Sequence, residues 1–562
     1  MSKDSLVKGT LILTLAALVA RALGVVQRIP LVYLLGDIGM AAYGIAFNLY
    51  SVLLVVATAG IPSALSKMIS EKTALGRHAE ADRIYKAALW FAVCAGVLMT
   101  VLLYAAAPYF ADSILNPQAA LPIQAIAPAL LLFPLIAIMR GYFQGRRMMM
   151  PNGISQIIEQ LFRVVTSVAL AYLLLSHSLD YAVAGASFGG VVGSIAAAAV
   201  MLYYALRLKQ RDRRERSAEG ADAAAAESAG AAASGQPLTF KAIYAQLFKL
   251  SVPIVIFSMT VTLIYTIDSS IVTLLLKDQF GEHAAREMLG ILAGRAQSLA
   301  GIPIILAVAL SQSVVPIISS AYSQKDLKQV SDQTAKVLQL SILTGLPMVL
   351  LISLGARPIN GFIFANLTGS LIVDAYAPSI ITLLTVSAMF QIVMQTSGAV
   401  LMGMGRMRPL VLSVILGIAV KLAGSYVLAP YWGIYGIIAA TALCFIVMAW
   451  LNLSVLRSAV PFRVFGLRRW LSLAATTTLI CLIGYGLEQL CVAYVHPFGS
   501  GRWDDMVQAL IICAIIGAAY PVLLFLTRVM TLHDLQHLPG PLRKLAKPLL
   551  ARLGRTTQQE KR

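Results

Sequence analysis

ARALGVVQRIP, residues Ala20 to Pro30, puts two arginines, Arg21 and Arg28, inside a run from Leu6 to Leu35 that is otherwise almost free of charge. A run of that length can cross a hydrocarbon core of about 30 Å as a helix. A charge at the bilayer centre costs about 2.5–3.5 kcal/mol on insertion scales. At 100° per residue, Thr10, Thr14, Ala17, Arg21, Gly24 and Arg28 fall within about 80° of arc. One face of the helix is therefore small, polar and cationic, and the rest is apolar. Such a face has to line protein or water rather than lipid.

The rest of the chain repeats this setting. Of 562 residues, 59% are hydrophobic and 12% charged, with a mean hydropathy of +0.80. A soluble domain carries about 25% charged residues. Apolar runs of membrane length recur throughout, so the fold class is an all-α polytopic membrane protein with about fourteen transmembrane helices. The third, fourth and tenth runs are interrupted by proline or polar residues. Lys3 and Lys8 precede a first run too long for a signal-peptide core, so that run reads as a retained helix.

Most of the 44 lysines and arginines fall at the amino terminus, in alternate loops such as 67–86, 140–147, 207–249 and 457–469, and in the tail. The opposite loops hold Lys277, Arg286, Arg357 and Arg502. The positive-inside rule then puts both termini in the cytoplasm of a cell membrane. The net charge of +19 is thus mainly topological, and no nucleic-acid partner is expected. Five cations remain inside spans: Arg21, Arg28, Arg163, Arg295 and Lys421. The acids available to match them are chiefly Glu159 and Asp268.

The stretch from Gln210 to Pro237 is rich in Ala, Ser, Gly and charge, a composition of flexible linkers. It separates six spans from eight. The two sides repeat one another: GRRMMMP at 145–151 faces GMGRMRP at 403–409, and a shift of 258 lays Ser155 on Ser413 and Arg163 on Lys421. Six helices per unit is an even number, so the units should be parallel repeats followed by two extra helices. The expected organisation is an N-terminal lobe at 1–208, a linker at 209–240, a C-terminal lobe at 241–457, two further helices at 458–530 and a basic tail at 531–562.

Catalytic and metal chemistry have no footing. Cys94, Cys444, Cys481, Cys491 and Cys513 lie in apolar runs without ligand spacing, and His533 and His537 stand alone in the tail. No phosphate-binding loop, nucleophile elbow or dinucleotide fingerprint occurs, so no cofactor and no enzymatic activity are expected.

Ala20-Arg21-Ala22-Leu23-Gly24 resembles the S-R-x-L-G start of the multidrug/oligosaccharidyl-lipid/polysaccharide exporter superfamily. Together with PSALSKMISE at 62–71, GYFQGRRMMMPNGISQIIEQLFR at 141–163 and the six-plus-six-plus-two plan, the likeness is to MurJ-type lipid II flippases of the SpoVB/YtgP-like branch. The resemblance implies a transporter of undecaprenyl-diphosphate-linked peptidoglycan precursor that works by alternating access, with the headgroup in a cationic cavity. It also implies a groove for the lipid tail at the two extra helices, and membrane lipids and cell-wall synthesis proteins as partners. Two positions depart from it: Leu54 stands where some relatives carry arginine, and Ile29 follows Arg28 where relatives carry aspartate. Another lipid-linked glycan, a spore-envelope unit, a cation-coupled drug exporter of the same superfamily and a non-transporting partner protein are the alternatives. The net-cationic interior favours an anionic substrate.

Arg21 and Arg28 lie about 10 Å apart along the helix, a span suited to an extended diphosphate and its neighbouring groups held by guanidinium forks. The resemblance places a further cavity arginine in the eighth span, so Arg295 is the expected contact from the second lobe. Arg163 follows Glu159 by four residues, the favourable order for a helical ion pair, so a structural or gating stripe is expected there. Some relatives bind sodium in the second lobe with an aspartate on the seventh helix, which Asp268 in YTIDSS matches. The eleventh span offers Ser413, Gly417 and Lys421 but no Asn or Asp. Buried alone, Asp268 or Lys421 would be costly, so the two are expected within salt-bridge or one-water distance, with the ammonium in place of sodium.

Overall fold

The computed structural model describes residues 6–58, 60–74, 78–146, 148–218, 240–365, 369–499, 501–527 and 529. Every regular element among them is helical. The chain opens with α1 (Leu6–Thr58), whose 53 residues would run about 80 Å if straight. They do not run straight. Gly36 takes φ 63°, a left-handed value open to glycine, and interrupts the helix. Gln27 Nε2 lies 3.3 Å from the Tyr43 hydroxyl, although 16 residues of straight helix would separate them by about 24 Å. The two limbs therefore fold back on each other, with Gly36 at the end remote from the N terminus.

The first lobe continues with α2 (Ile61–Ala74), α3 (His78–Ser113), α4 (Ala120–Ile126), α5 (Ala129–Gly145), α6 (Met150–Leu175) and α7 (Leu179–Ala218). A 3-10 turn at Pro117–Ala119 leads into α4, and this segment bends by 41° against α5 to make one broken span. The second lobe comprises α8 (Phe240–Ser258), α9 (Thr260–Phe280), α10 (Glu282–Gly290), a π-helical segment (Ile291–Ala296), α11 (Gln297–Ser323), α12 (Leu327–Leu354), α13 (Ala356–Ile363), α14 (Leu371–Gly403), α15 (Met407–Trp432) and α16 (Ile434–Ala459). Two further helices, α17 (Leu467–Tyr494) and α18 (Arg502–Leu526), pack on each other and on α12.

Twelve helices among the described residues are long and apolar enough to cross a membrane, or thirteen with the broken span counted. The expectation of fourteen differs by treating the two limbs of α1 as separate spans. The expected linker begins later than its composition implied, because Gln210 to Ala218 continue α7 as helix. The stretch 219–239 and the tail 531–562, with His533 and His537, lie outside the described residues.

The helices are polar toward the protein and apolar toward the lipid. On α6, Ser155, Glu159, Arg163, Ser167 and Ala171 are buried at every fourth position, while Leu161, Val165 and Tyr172 are exposed. On α15 the buried stripe is Ser413, Gly417, Lys421, Ser425 and Ala429, each 258 residues further along the chain. The repeated register is thus the register of burial. Both stripes lie inside the bundle, where charged groups find partners instead of hydrocarbon.

Candidate functional site

A cavity of about 430 Å³ opens where the first limb of α1 meets α6 and the start of α11. Its cations are Arg21, Arg28 and Arg163, and Gln27, Gln160, Gln297 and Ser298 add polar groups. Tyr43 and Phe47, on the returning limb of α1, form an aromatic wall. The seven-residue spacing of Arg21 and Arg28 brings both onto the cavity side, as the helical arc requires. Arg21 is exposed. Arg28 is half-buried, its Nη1 donating to the Ala293 carbonyl at 2.6 Å and its guanidinium lying 5.9 Å from the Phe47 ring.

The charge here is not balanced. Among the described residues neither Arg21 nor Arg28 has a carboxylate partner. Glu159 serves two arginines, with Oε1 3.2 Å from Arg163 Nη2 and Oε2 3.0 Å from Arg140 Nη2. Arg163 Nε is buried without a hydrogen-bond partner among the described residues. Of the three guanidinium groups on the cavity only Arg163 meets a carboxylate, one it shares with Arg140, so the lining has the chemistry to attract an anion.

Arg295, expected on the same cavity, is elsewhere. The π-helical segment carries it to the remote end of α1, where Nε donates to Asp37 Oδ1 at 2.7 Å and Nη2 to Asp37 Oδ2 at 2.6 Å. Nη1 donates to Asn360 Oδ1 and the Ala365 carbonyl at 3.2 and 3.0 Å. Both members of this fork-to-fork pair are buried. An acid from the other lobe neutralises Arg295, which is why it stays off the cavity.

The same region seals the two lobes against each other. Arg286 donates to the Leu115 carbonyl from Nε and Nη2, at 3.1 and 2.7 Å. Further along the returning limb, beside Phe47, Asn48 Nδ2 donates to Ser269 Oγ at 2.8 Å and also joins the lobes. Gly290 allows backbone contact, since a Cβ there would stand 1.7 Å from the Asp37 carbonyl oxygen. Gly290→Ala is therefore expected to force this seam apart, raising the reaction of a cysteine at Ser298 with an impermeant reagent applied from the sealed side. Unchanged reactivity would show that the seam does not depend on this contact.

Asp268 and Lys421 meet in the second lobe, and neither lines the cavity. Lys421 Nζ lies 2.5 Å from Asp268 Oδ1 and donates to the Ile437 carbonyl at 2.9 Å and Thr441 Oγ1 at 2.7 Å. Thr441 Oγ1 is also 3.3 Å from Asp268 Oδ2. Lys421 is 0% exposed and Asp268 2%, so the ammonium is enclosed by oxygen from α9 and α16.

Two participants escaped sequence reasoning. Asp37 stands just beyond the first apolar run, and its only local signal is a Gly-Asp pair at the reversal. Arg140 was grouped with loop cations, yet it donates to Ser155 Oγ at 2.8 Å as well as to Glu159. Helical periodicity carries no sign of either contact, because both cross between helices.

Residues 6–322 match the model of a family described as polysaccharide biosynthesis protein. Over 536 residues the chain is 26% identical to the lipid II flippase MurJ of Bacillus subtilis (strain 168), spanning 92% of this chain and 94% of that protein. It is 25% identical to stage V sporulation protein B of the same organism over 546 residues, 96% of this chain and 98% of the relative. A solved structure of a lipid II flippase MurJ in an inward closed conformation shares the fold with a TM-score of 0.65 at 13% identity, across 92% of this chain and all of that one. A multi-pass helical membrane protein with a cationic cavity between its lobes, the chain belongs to the polysaccharide biosynthesis protein family.

Proposed function

We propose that the protein is a flippase that carries undecaprenyl-diphosphate-linked peptidoglycan precursor, lipid II, from the inner to the outer leaflet of the bacterial cell membrane. The observation that carries this reading is the positive charge of Arg21 and Arg28, which no carboxylate among the described residues compensates, on a cavity that Arg163 also lines. A diphosphate offers the anionic oxygens that guanidinium forks fit, and the excess charge disfavours cationic drugs. The full-length likeness to MurJ supports a lipid-linked glycan as cargo.

The seam supports a reading by alternating access. With the Asp37–Arg295 side closed, the cavity serves the face that bears the N terminus, which charge asymmetry assigns to the cytoplasm. The diphosphate binds Arg21 and Arg28 there. Opening the seam frees Arg295, which then holds the headgroup in the outward-facing state. Glu159–Arg163 within the first lobe and Asp268–Lys421 within the second hold each lobe together as it moves, the part we assign to them in coupling or gating. Likeness to stage V sporulation protein B supports a second reading, in which the cargo is a lipid-linked unit of the spore envelope.

Depleting the protein in its host and measuring lipid-linked intermediates separates these. Lipid II should accumulate on the inner leaflet of growing cells; its normal distribution during growth would reject the principal reading. Orientation has its own check. A cysteine at Ser228 should resist an impermeant maleimide in intact cells and react after permeabilisation, whereas labelling of intact cells would reverse the topology.

A further inference from the structure

A second cavity, of about 360 Å³, lies where α12, α14 and α16 meet the loop 460–466 and the first turn of α17. It shares no lining residue with the cationic cavity. Leu338, Ile342, Val393 and Leu453 make its walls. Phe465 and Trp470 close one side in an edge-to-face contact with centroids 5.2 Å apart. The loop is tied down: Ser331 Oγ donates to the Pro461 carbonyl at 2.6 Å, and Gln339 Nε2 donates to the Val464 carbonyl.

Two arginines line this otherwise apolar space, Arg457 and Arg463. Both are exposed, and neither guanidinium has a hydrogen-bond or ion-pair partner among the described residues. They sit at the face of the bundle where the basic loops gather. An apolar hollow with unpartnered guanidinium groups matches an amphiphile with an anionic head and a hydrocarbon chain. Basic pockets between helices on the cytoplasmic side are the sites where acidic lipid headgroups dock. Mass action favours a bulk membrane lipid over a scarce one at a site that does not join the transport cavity.

We propose that this is a binding site for an anionic phospholipid, whose phosphodiester is held by Arg457 and Arg463 and whose acyl chain enters the cavity. The lipid wedges α17 to the second lobe, since α17 supplies Trp470 while α12, α14, α16 and the loop 460–466 supply the other walls.

The test uses the full chain purified in detergent, with phosphatidylglycerol and phosphatidylcholine as probes read by native mass spectrometry and by thermal unfolding. Phosphatidylglycerol should bind and raise the unfolding temperature more than phosphatidylcholine. The double variant Arg457→Gln/Arg463→Gln should weaken phosphatidylglycerol binding about 30-fold while leaving lipid-free unfolding unchanged. Arg457→Lys/Arg463→Lys should retain part of the binding, because charge remains and the fork is lost. Equal binding of the two phospholipids, or full binding by the glutamine variant, would overturn the proposal. So would undecaprenyl diphosphate displacing phosphatidylglycerol at equimolar concentration, which would make the occupant a prenyl diphosphate.

Discussion

Arg28→Gln is expected to abolish growth complementation at normal expression, and Arg21→Gln to reduce it severely. Each change keeps a polar side chain and removes a charge that no carboxylate among the described residues neutralises. Hydrogen bonds to charged groups contribute about 1.5–3 kcal/mol each, so losing one guanidinium contact to a diphosphate lowers transport efficiency by roughly 10–150-fold. Arg28 should be the more sensitive, because its Nη1 is fixed on the Ala293 carbonyl and its ring contact with Phe47 presets its direction. Arg21, exposed and free to move, loses less. Lysine at either position should rescue only partly, since an ammonium supplies charge without the planar fork. Growth of the Arg21→Gln/Arg28→Gln strain after depletion of the wild-type protein is the measurement, and normal growth would remove the anion site from the account.

The second large effect concerns Lys421. Replacing it with methionine leaves the Asp268 carboxylate buried without its cation, a change that costs about 3–5 kcal/mol in comparable buried pairs. Asp268→Asn should destabilise the protein similarly, by stranding the ammonium. The double variant Asp268→Asn/Lys421→Met should recover most of the loss, since no uncompensated charge remains. Thermal unfolding of the purified variants reads this directly; additive losses in the double variant would mean that the two groups are not energetically coupled. With the ammonium held by Asp268, Thr441 and the Ile437 carbonyl, transport in reconstituted vesicles should not require sodium. Lys421→Ala vacates that oxygen cage, so only this variant should gain thermal stability from sodium chloride over choline chloride. A sodium requirement in the wild type that disappears in Asp268→Asn would defeat the tethered-cation reading.

How much of this was legible in the sequence depends on the range of each interaction. The cationic arc of α1 and the Glu159–Arg163 pair are set by helical spacing, and one helix is enough to read them. The Asp268–Lys421 contact is long-range, yet it followed from the cost of leaving either charge alone among apolar residues. The resemblance puts Arg295 on the cavity, whereas in this closed seam it pairs with Asp37. Asp37 lies at the reversal of α1, 258 residues before Arg295, and no helical spacing joins the two. The π-helical segment that carries Arg295 has no signature in residue pattern. The fold-back at Gly36, which places Tyr43 and Phe47 on the same cavity as Arg28, leaves no sign in the sequence beyond the end of the apolar run at Leu35.

The central claim, that an uncompensated guanidinium cluster selects an anionic lipid-linked cargo, is tested most directly in proteoliposomes. The measurement is the rate at which a labelled undecaprenyl-diphosphate-linked glycan becomes accessible on the opposite leaflet, compared with the same glycan on undecaprenol through a neutral link. The account predicts rapid movement of the diphosphate form by the wild type, little movement of the neutral form, and loss of the difference in Arg21→Gln/Arg28→Gln. Equal rates for the two cargoes, or a rate unaffected by the double substitution, would contradict it.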